Sequence, residues 1–433
     1  MLFSNIGIID EQFAYRPHQW VGTEGTRIAY VGSEPPAPAD AARFGEVYDG
    51  TDRLLMPAFY NAHAHAPMTL LRGYSENLPL QRWLTESVWP FEEKMTAEDN
   101  YWGTLLACAE MARYGCVGFS DMYFHTRERA RAVIESGLKA NLCETEIFAE
   151  EKPLRECAIY GTYEELIPEL HGAADGRIRL DYNIHAEYTS FPQQCADMAQ
   201  VAREHGLRIH LHASETRTEH EECKQRHDGL TPLQYFDRMG VLDAGCIAAH
   251  CVWAEPADIE LLAEKGTFVA ANPASNMKLG SGFAPIPAML AAGVHVCLGT
   301  DGVASNNNHD MLQDLYLLAL IYKGAACDPT AVTPAEALRA ATREGALAQG
   351  RDDCGLVKEG FRADLTVLDV SGPSWFPATN PACNLVFAGH GSDVVLTMSD
   401  GQVIYRDGMY PTVDVERAKA EVSARTQRII GEL

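Results

Sequence analysis

The chain has 433 residues, of which 46% are hydrophobic and 22% charged, a composition typical of a globular protein with a large core. Its net charge of -25 repels phosphate groups, which argues against nucleic acid or an anionic membrane surface as a partner. No run approaches the length of a membrane-spanning helix, and the first residues lack the basic segment of a signal peptide. The 12 cysteines form no C-x-x-C pair, which favours a reducing compartment, so we expect a cytoplasmic protein.

The two ends of the chain are rich in strand and turn signals. Residues 1–55 contain the strand-like stretch "TRIAYVG", and residues 363–370 and 393–408 predict further strands near the other end. Ser399-Asp400-Gly401 is typical of a hairpin turn, because glycine tolerates positive φ. We expect residues 1–55 and 363–433 to build one small β-sandwich domain together.

The middle of the chain, residues 56–362, alternates short apolar runs with helical stretches, which is the pattern of βα units. Eight strands are predicted, at 53–60, 116–122, 138–144, 178–185, 207–213, 245–251, 266–272 and 293–300. Helices are predicted at 97–114, 191–205, 256–265 and, after the barrel, 414–432. Eight such units fit a (β/α)8 TIM-type barrel, whose typical size is about 250 residues or more. A doubly wound open sheet is the alternative, but it usually carries a glycine-rich nucleotide loop, and the chain has no G-x-G-x-x-G.

Several predicted barrel strands end in residues that bind metals or move protons. These residues are His63 and His65 after the first strand, His212 and Glu215 at the fifth, His250 at the sixth and Asp301 at the eighth. Active sites of such barrels lie at the carboxyl ends of the strands, so we expect these side chains to face one mouth. Residues two apart on a strand share a face, with Cα atoms about 6.6 Å apart, so His63 and His65 can converge on one cation.

Imidazole and carboxylate ligands without thiolates suit Zn²⁺, Fe²⁺ or a similar divalent ion. The predicted metal ligands are His63, His65, His212 and Asp301. Such an ion lowers the pKa of a water that it binds to about 7. Glu215 is then placed to shuttle protons, and His250 to orient the attacking group or polarise the target. Two competing signatures, P-C-x-x-C of the cytidine-deaminase type and G-x-S-x-G of serine hydrolases, are absent.

Longer stretches around these residues point to a family. They are "NAHAHAPMTLLRGYSENLPLQRWL", "WPFEEKMTAEDNYWGTLLACAEMARYG", "DMYFH", "AAHCV", "NPASNMKLGSGFAPI", "LGTDGVASNN", "GLVKEGFRADLTVLDV" and "GQVIYRDG". In these stretches the chain resembles the amidohydrolase superfamily, and within it the cytosine deaminase and chlorohydrolase-like branch. The likeness is greatest to the 5'-methylthioadenosine/S-adenosylhomocysteine deaminases and covers nearly the whole chain.

The resemblance implies one bound metal ion, usually zinc, held by the four ligands named above, with Fe²⁺ as the alternative. It assigns the catalytic roles to Glu215, His250 and Asp301. The fourth strand ends in His185 and offers no lysine for a second metal, so a single-metal site is favoured. The family also leads us to expect a homo-oligomer.

The resemblance implies substrate contacts as well. Glu92 matches a glutamate that holds ribose hydroxyls, and His185 matches a histidine that contacts the purine. Trp89 and Asn306 are expected to contact the substrate too. The alternatives are a solvated helix charge for Glu92 and a buried structural histidine for His185.

The chain departs from the family pattern in two places. It reads "IHAEYT" where purine-type members tend to read P-H-S-x-Y, and "NLCETEIFAEEKPLRE" after the third strand is rich in acids. Glu144, Glu146 and Glu187 favour a cationic or hydrogen-bond-donating substrate, and a solvated loop is the alternative for the acidic run.

We therefore expect a metal-dependent hydrolytic deaminase of an adenosine-type nucleoside, a small molecule. Adenosine, 5'-deoxyadenosine, 5'-methylthioadenosine and S-adenosylhomocysteine are the expected substrates. One alternative keeps the site but acts on another base, a pterin or a triazine, or works as a chlorohydrolase or cyclic amidohydrolase. A more distant alternative is a non-enzymatic assembly protein on the same fold.

Overall fold

The computed structural model describes residues 1–433 and contains a parallel barrel and a mixed sheet built from both ends of the chain. The strands are β1 (Leu2–Ile9), β2 (Tyr15–Glu24), β3 (Arg27–Gly32), β4 (Val47–Asp49), β5 (Arg53–Pro57), β6 (Phe59–Ala64), β7 (Cys116–Tyr123), β8 (Lys139–Glu144), β9 (Ile178–Leu180), β10 (Tyr182–Ile184), β11 (Ile209–Ala213), β12 (Cys246–His250), β13 (Phe268–Ala271), β14 (His295–Leu298), β15 (Leu365–Asp369), β16 (Val394–Ser399) and β17 (Gln402–Arg406).

Helices separate most of the barrel strands and cover the outside of the barrel. The α-helices are α1 (Pro38–Ala41), α2 (Leu80–Trp83), α3 (Trp89–Glu92), α4 (Ala97–Arg113), α5 (Thr126–Ser136), α6 (Ala158–Leu170), α7 (Ala173–Gly176), α8 (Pro192–His205), α9 (Arg217–Arg226), α10 (Pro232–Arg238), α11 (Pro256–Lys265), α12 (Pro273–Lys278), α13 (Ile286–Ala291), α14 (Met311–Ala326), α15 (Pro334–Arg339), α16 (Gly345–Ala348), α17 (Pro381–Phe387) and α18 (Val415–Glu432). A π-helical turn, Leu84–Val88, joins α2 to α3. None of the helices combines the length and apolarity needed to span a bilayer.

The barrel consists of two parallel arcs, β6-β7-β8-β9 and β10-β11-β12-β13-β14. Asp181 interrupts one continuous strand between β9 and β10, and its amide still donates to the Leu142 carbonyl of β8 at 3.1 Å. The arcs close where β14 meets β6, because the Asp301 amide donates to the His63 carbonyl at 2.9 Å. Counting β9 and β10 together, eight strands form the ring, so the predicted (β/α)8 barrel is confirmed.

The barrel strands are buried along their whole length, as expected when helices cover one face and other side chains fill the interior. The helices begin and end at the signals that the sequence carries. Thr96 and Asp99 form a capping box that starts α4. Pro192 opens α8, and Gly206 ends it in the left-handed conformation that glycine favours. The four helices predicted from the sequence are confirmed as α4, α8, α11 and α18.

The terminal sheet has the strand order β17-β16-β15-β5-β1-β2-β3, with β4 paired to β1. Its strands are hydrogen-bonded into a single branched sheet, which encloses its own core of 12 buried residues. The predicted hairpin turn joins β16 to β17, and Asp400 and Gly401 adopt φ of 47° and 77°. The sheet thus joins the two chain ends as predicted, while the domain limits of 1–55, 56–362 and 363–433 stay predictions.

The prediction of one strand over 53–60 is wrong. β5 pairs with β15 in the terminal sheet, and β6 begins the barrel after Ala58. Two apolar runs follow each other here without a polar break, so hydrophobicity alone does not separate them. The change of sheet occurs at Ala58: its amide donates to the Asp364 carbonyl beside β15 at 3.0 Å, and the next amide, that of Phe59, donates to the Gly115 carbonyl before β7 at 2.9 Å.

A buried ion pair fastens the terminal sheet to the barrel. Lys139, at the start of β8, donates from Nζ to Asp364 Oδ1 at 2.5 Å, and Asp400 Oδ1 lies 3.2 Å from the same ammonium group. The Asp400 amide and the Tyr60 hydroxyl also donate to Asp364. Burial would raise the pKa of Asp364, but the Lys139 ammonium and these hydrogen bonds hold it below its ordinary value. All of its acceptor oxygens are therefore occupied by donors.

Replacing Lys139 with methionine should destabilise the protein by about 3–5 kcal/mol, because the Asp364 carboxylate loses its buried counter-charge. The free energy of unfolding in urea would measure this loss. Lys419→Met is the matched control, since Lys419 pairs with Glu416 on the exposed face of α18 and should cost less than about 1 kcal/mol. Equal losses in both variants would contradict the assigned role of the buried pair.

Candidate metal and active site

The carboxyl ends of the barrel strands bring the predicted metal ligands to one point. Asp301 Oδ1 lies 3.5 Å from His63 Nε2 and 3.3 Å from His65 Nε2. His212 Nε2 lies 3.3 Å from His65 Nε2. These side chains come from β6, β11 and the loop after β14, which the closed ring places beside one another.

The hydrogen bonds of the histidines aim their second nitrogens at this point. The Nδ1 of His65 lies 2.6 Å from the Met122 carbonyl, and the Nδ1 of His212 lies 2.7 Å from the His185 carbonyl. A carbonyl oxygen only accepts, so each Nδ1 carries a proton and donates it, and each neutral ring presents its Nε2 lone pair to the centre. Two such lone pairs facing each other at 3.3 Å repel unless a cation or a proton lies between them.

His63 gives independent support for a cation. Its Nδ1 lies 2.9 Å from His210 Nε2, while its own Nε2 is buried and makes no hydrogen bond. Burial lowers the pKa of His65, but the Asp301 carboxylate outweighs it and raises that pKa to about 8, so a cation bound here replaces a proton. Three imidazoles and a carboxylate without a thiolate form a donor set that suits zinc. The residues present therefore fit a divalent ion.

The backbone at two strand ends is held in the left-handed region. Asp301 has φ of 62° and His250 has φ of 74°, and neither residue is glycine. Such a conformation costs of order 1–3 kcal/mol and is held by the surrounding structure. Asp301 is restrained by two hydrogen bonds: Ser275 Oγ donates to Oδ2 at 2.6 Å, and the Gly302 amide donates to Oδ1 at 2.7 Å.

Glu215, which follows β11, and His250, which ends β12, lie next to each other. Glu215 Oε2 is 3.9 Å from His250 Nε2, and Ser281 Oγ donates to Glu215 Oε1 at 3.4 Å. His250 Nδ1 donates to Asn276 Oδ1 at 2.9 Å, which fixes the ring. Burial raises the pKa of Glu215 above its ordinary value, so this carboxyl is disposed to carry a proton.

A cavity opens above the cluster and is lined by 21 residues, 12 of them hydrophobic. Trp89, Glu92 and His185 are among these lining residues, and their contact with a substrate stays a prediction. Burial raises the pKa of Glu92 to about 7, so this side chain is not a solvated helix charge. Burial lowers the pKa of His185 to about 3, so its ring is neutral at neutral pH.

Asn306 is not among the lining residues. Its side-chain amide is buried behind Asp301 and donates to the Thr300 carbonyl and to Asp314 Oδ2, both at 2.8 Å. Asp314 in turn accepts from the Ala274 amide at 3.1 Å. This position favours a supporting role for Asn306, and we leave it out of the substrate contacts proposed below.

Glu144 and Glu146, at the start of the acidic run, do not line the cavity. Glu144 accepts from the Thr126 amide at 2.8 Å, and Glu146 accepts from the Ile159 amide at 2.9 Å. Both carboxylates therefore stabilise the first turns of helices, α5 and α6. Thr145 and Ile147, between and after them, line the cavity instead. Neither carboxylate is placed to bind a cationic substrate.

Glu187, the third acidic residue singled out in the sequence, also has protein partners. Its carboxylate accepts from His227 Nε2 at 2.6 Å and from Arg226 Nη2 at 2.5 Å. These two hydrogen bonds hold the loop after His185 against the end of α9. The buried carboxylate is thus neutralised by the chain itself.

Four further residues lie next to the cluster or line the cavity, and the sequence alone does not single them out: His210, Tyr123, Tyr188 and Glu219. His210 repeats the H-x-H pattern in "HLHA", a signal that marks it as a partner of the cluster. Tyr123 and Tyr188 line the cavity, but aromatic residues after strands are too common to be singled out. Glu219 forms a capping box with Thr216, and T-x-x-E is a readable signature of a helix start.

Glu219 does more than cap α9. Its two carboxylate oxygens accept from the Ser214 amide at 2.8 Å and from the Glu215 amide at 2.7 Å. Ser214 has φ of 51°, so the turn that carries Glu215 is strained and needs these bonds to keep its shape. Glu219 therefore positions the backbone of Glu215.

Replacing Glu219 with glutamine should loosen this turn, because an amide NH₂ then faces one of the two backbone donors. We expect faster hydrogen exchange of the Ser214 and Glu215 amides and a loss of about 1–3 kcal/mol in unfolding free energy. Glu221→Gln on the exposed face of the same helix is the control. Unchanged exchange in Glu219→Gln would show that the turn holds its shape without the carboxylate.

Comparison with known proteins agrees with this geometry. Residues 54–404 match the profile of the amidohydrolase family. The chain is 41% identical over 391 residues to a 5-methylthioadenosine/S-adenosylhomocysteine deaminase of Dictyoglomus thermophilum, covering 90% of each chain. It is 42% identical over 392 residues to a 5'-deoxyadenosine deaminase of Methanothermobacter thermautotrophicus, covering 89% of this chain and 88% of that one. The solved structure of an adenosine deaminase from Xanthomonas campestris with bound zinc superposes with a TM-score of 0.92 at 30% identity, covering 99% and 98% of the two chains. These matches show that the chain belongs to the amidohydrolase family, and the barrel with its cluster of three histidines and an aspartate agrees with that assignment.

Proposed function

We propose that the protein is a metal-dependent hydrolytic deaminase of an adenosine-type nucleoside. The observation that carries the proposal is the placement of Glu215 and His250, 3.9 Å apart, beside the cluster of three histidines and Asp301 in one cavity. Hydrolysis at an unreactive carbon needs an activated water and groups that transfer protons, and a metal site beside a general acid–base pair supplies both. His63, His65, His212 and Asp301 are the proposed ligands of one Zn²⁺ ion.

The residues of the chain divide the proton transfers among them. A divalent cation, when bound, supplies a water that is acidic enough to attack at neutral pH. Glu215 would take a proton from the attacking water and deliver it to the ring nitrogen next to the attacked carbon as the new C–O bond forms. It would then take the remaining proton from the added hydroxyl and pass it to the amino group. The C–N bond breaks, ammonia leaves, and the oxygen becomes the carbonyl of the product. His250 and Asp301 hold the attacking oxygen in line with the carbon.

Support for an adenosine-type substrate comes from the relatives and from the cavity wall. The relatives named above are deaminases of 5-methylthioadenosine, S-adenosylhomocysteine and 5'-deoxyadenosine. Glu92 is a half-buried carboxylate suited to two vicinal hydroxyl groups, and neutral His185 and Trp89 are suited to a purine ring. A homo-oligomer and a cytoplasmic location stay predictions.

Metal analysis of the purified protein should find about one divalent ion per chain. His212→Ala should lose most of that metal, because one of four ligands is removed and neighbouring lone pairs are left uncompensated. His390→Ala is the control, since His390 is exposed and lies outside the cluster. Full metal occupancy in His212→Ala would contradict the proposed ligand set.

Glu215→Gln should lower kcat for ammonia release by about 10²–10⁴-fold, because glutamine cannot shuttle the protons. Metal content should stay at the wild-type level, which separates loss of chemistry from loss of the ion. A panel of adenosine analogues, guanine, cytosine, pterins and chlorotriazines, assayed for ammonia and chloride, tests the substrate class. Chloride release without any ammonia release would replace the deaminase proposal with a chlorohydrolase.

A further inference from the structure

A second group of metal-binding side chains lies between α9 and the turn that follows His185. A carboxylate oxygen of Glu187, the sulfur of Cys223 and a ring nitrogen of His227 lie within 4.8 Å of one another. Glu187 and Cys223 are buried, and His227 is half-buried. None of the three lines the cavity above the cluster of histidines and Asp301, so the proposed function gives them no role.

The spacing of two of these residues along the chain is that of a helical metal site. Cys223 and His227 are four residues apart, and the His227 amide donates to the Cys223 carbonyl at 2.9 Å. The helical turn therefore continues through both residues and places their side chains on one side of α9. The two histidines of an H-E-x-x-H helix bind zinc with the same spacing. The ring of Tyr235 stacks on that of His227 with centroids 4.2 Å apart, which fixes the imidazole.

Protons hold the positions that a cation takes. His227 Nε2 lies 2.6 Å from Glu187 Oε1, and the carboxylate, paired with Arg226, only accepts, so the nitrogen carries a proton. Burial raises the pKa of the Cys223 thiol, whose sulfur donates to the Leu230 carbonyl at 3.5 Å. A bound cation displaces both protons, and the thiol then coordinates as a thiolate.

Arg226 competes for the same carboxylate. Its Nε donates to Glu187 Oε1 at 3.1 Å and its Nη2 to Oε2 at 2.5 Å. The arginine is exposed, however, and its Nη1 already lies 3.3 Å from Glu222 Oε2. The guanidinium can therefore move toward Glu222 and leave Oε1 to a cation. This competition makes the group a weaker site than the histidine cluster, so added metal is needed to fill it.

We infer that Glu187, Cys223 and His227 bind a second divalent cation, of the class that accepts thiolate ligands, such as Zn²⁺, Cd²⁺ or Co²⁺. One sulfur, one nitrogen and one oxygen suit these ions, whereas Mg²⁺ and Ca²⁺ require oxygen ligands. The bound ion joins α9 to the turn Glu187–Thr189, whose Tyr188 lines the cavity. The inference does not depend on the proposed function.

The first test is a titration with Co²⁺ of protein whose histidine cluster is already loaded with zinc, in the absence of added thiols. A thiolate bound to Co²⁺ gives a sulfur-to-metal charge-transfer band in the near ultraviolet. The histidine cluster has no sulfur ligand, so the band reports the second site alone. We expect it to saturate at about one Co²⁺ per chain, to disappear with excess Zn²⁺ and to persist with excess Mg²⁺. No band at saturating Co²⁺ would overturn the inference.

Variants of the ligands identify the site. Cys223→Ser should abolish the band, and His227→Ala should weaken Co²⁺ binding by about tenfold or more because one of three protein ligands is lost. Cys327→Ser is the matched control, since Cys327 is the exposed cysteine and the thiol most open to adventitious binding. A band that survives Cys223→Ser, or one that Cys327→Ser abolishes, contradicts the assigned ligands.

Removing the competing cation should strengthen binding, a result that misfolding does not produce. Arg226→Gln should bind Co²⁺ about tenfold more tightly, because the Glu187 carboxylate is released and a neighbouring positive charge is removed. Arg238→Gln is the control, since Arg238 is exposed at the end of α10 and should leave the affinity unchanged. Equal or weaker binding in Arg226→Gln would count against the site.

Hydrogen exchange tests the link between the ion and the turn. The Thr189 and Ser190 amides donate to the Ala186 and Glu187 carbonyls at 3.3 Å and 3.2 Å and so close this turn. Saturating Zn²⁺ should slow the exchange of both amides in the wild-type protein and leave it unchanged in Cys223→Ser. Exchange that does not respond to Zn²⁺ in the wild type, or that slows equally in the variant, would overturn the inferred link.

Discussion

The seam between the last and the first barrel strand is the constraint on which the site depends. The Asp301 amide donates to the His63 carbonyl at 2.9 Å, so two ligands from distant parts of the sequence become neighbours. The Asn61 side chain reinforces the seam, since it accepts from the Thr300 amide at 3.0 Å and donates to the Thr300 hydroxyl at 2.7 Å. A shift of register by one residue would turn these side chains to the other face. The closed barrel therefore brings these metal ligands together.

The same constraint explains why strained backbone survives at the site. Left-handed conformations at Ser214, His250 and Asp301 each cost free energy that an isolated segment would recover by relaxing. The Cys251 amide, just after His250, donates to the Ala213 carbonyl of the adjacent strand at 3.0 Å. Asp301 is held by the seam, and Ser214 by Glu219. Hydrogen bonds of the ring thus fix the turns, and the turns aim the side chains before any substrate arrives.

The barrel and the metal-binding residue types at its strand ends could be predicted from the sequence alone. The strand break and the helix caps could not, for physical reasons. A strand end followed by histidine or aspartate is a local pattern, so His63, His212 and Asp301 could be found without knowing their distances. The break at Ala58 was missed because two strands of different sheets follow each other as one apolar run. The use of Glu144 and Glu146 as helix caps was missed because each carboxylate binds the amide of a helix far from it in the chain. A short stretch of sequence around each glutamate contains no pattern that identifies such a partner.

The floor and the roof of the cavity carry different information about function. The floor consists of strand ends locked into the barrel, so a change there alters the chemistry or the fold. The roof is the helical segment 80–92 outside the ring, and of its six residues that line the cavity only Glu92 has an ionisable side chain. A fold does not fix a substrate, because the loops above the strands vary while the strands are kept. We therefore expect the choice of molecule to depend on residues such as Leu84, Val88 and Ile147, which line the cavity without belonging to the metal cluster.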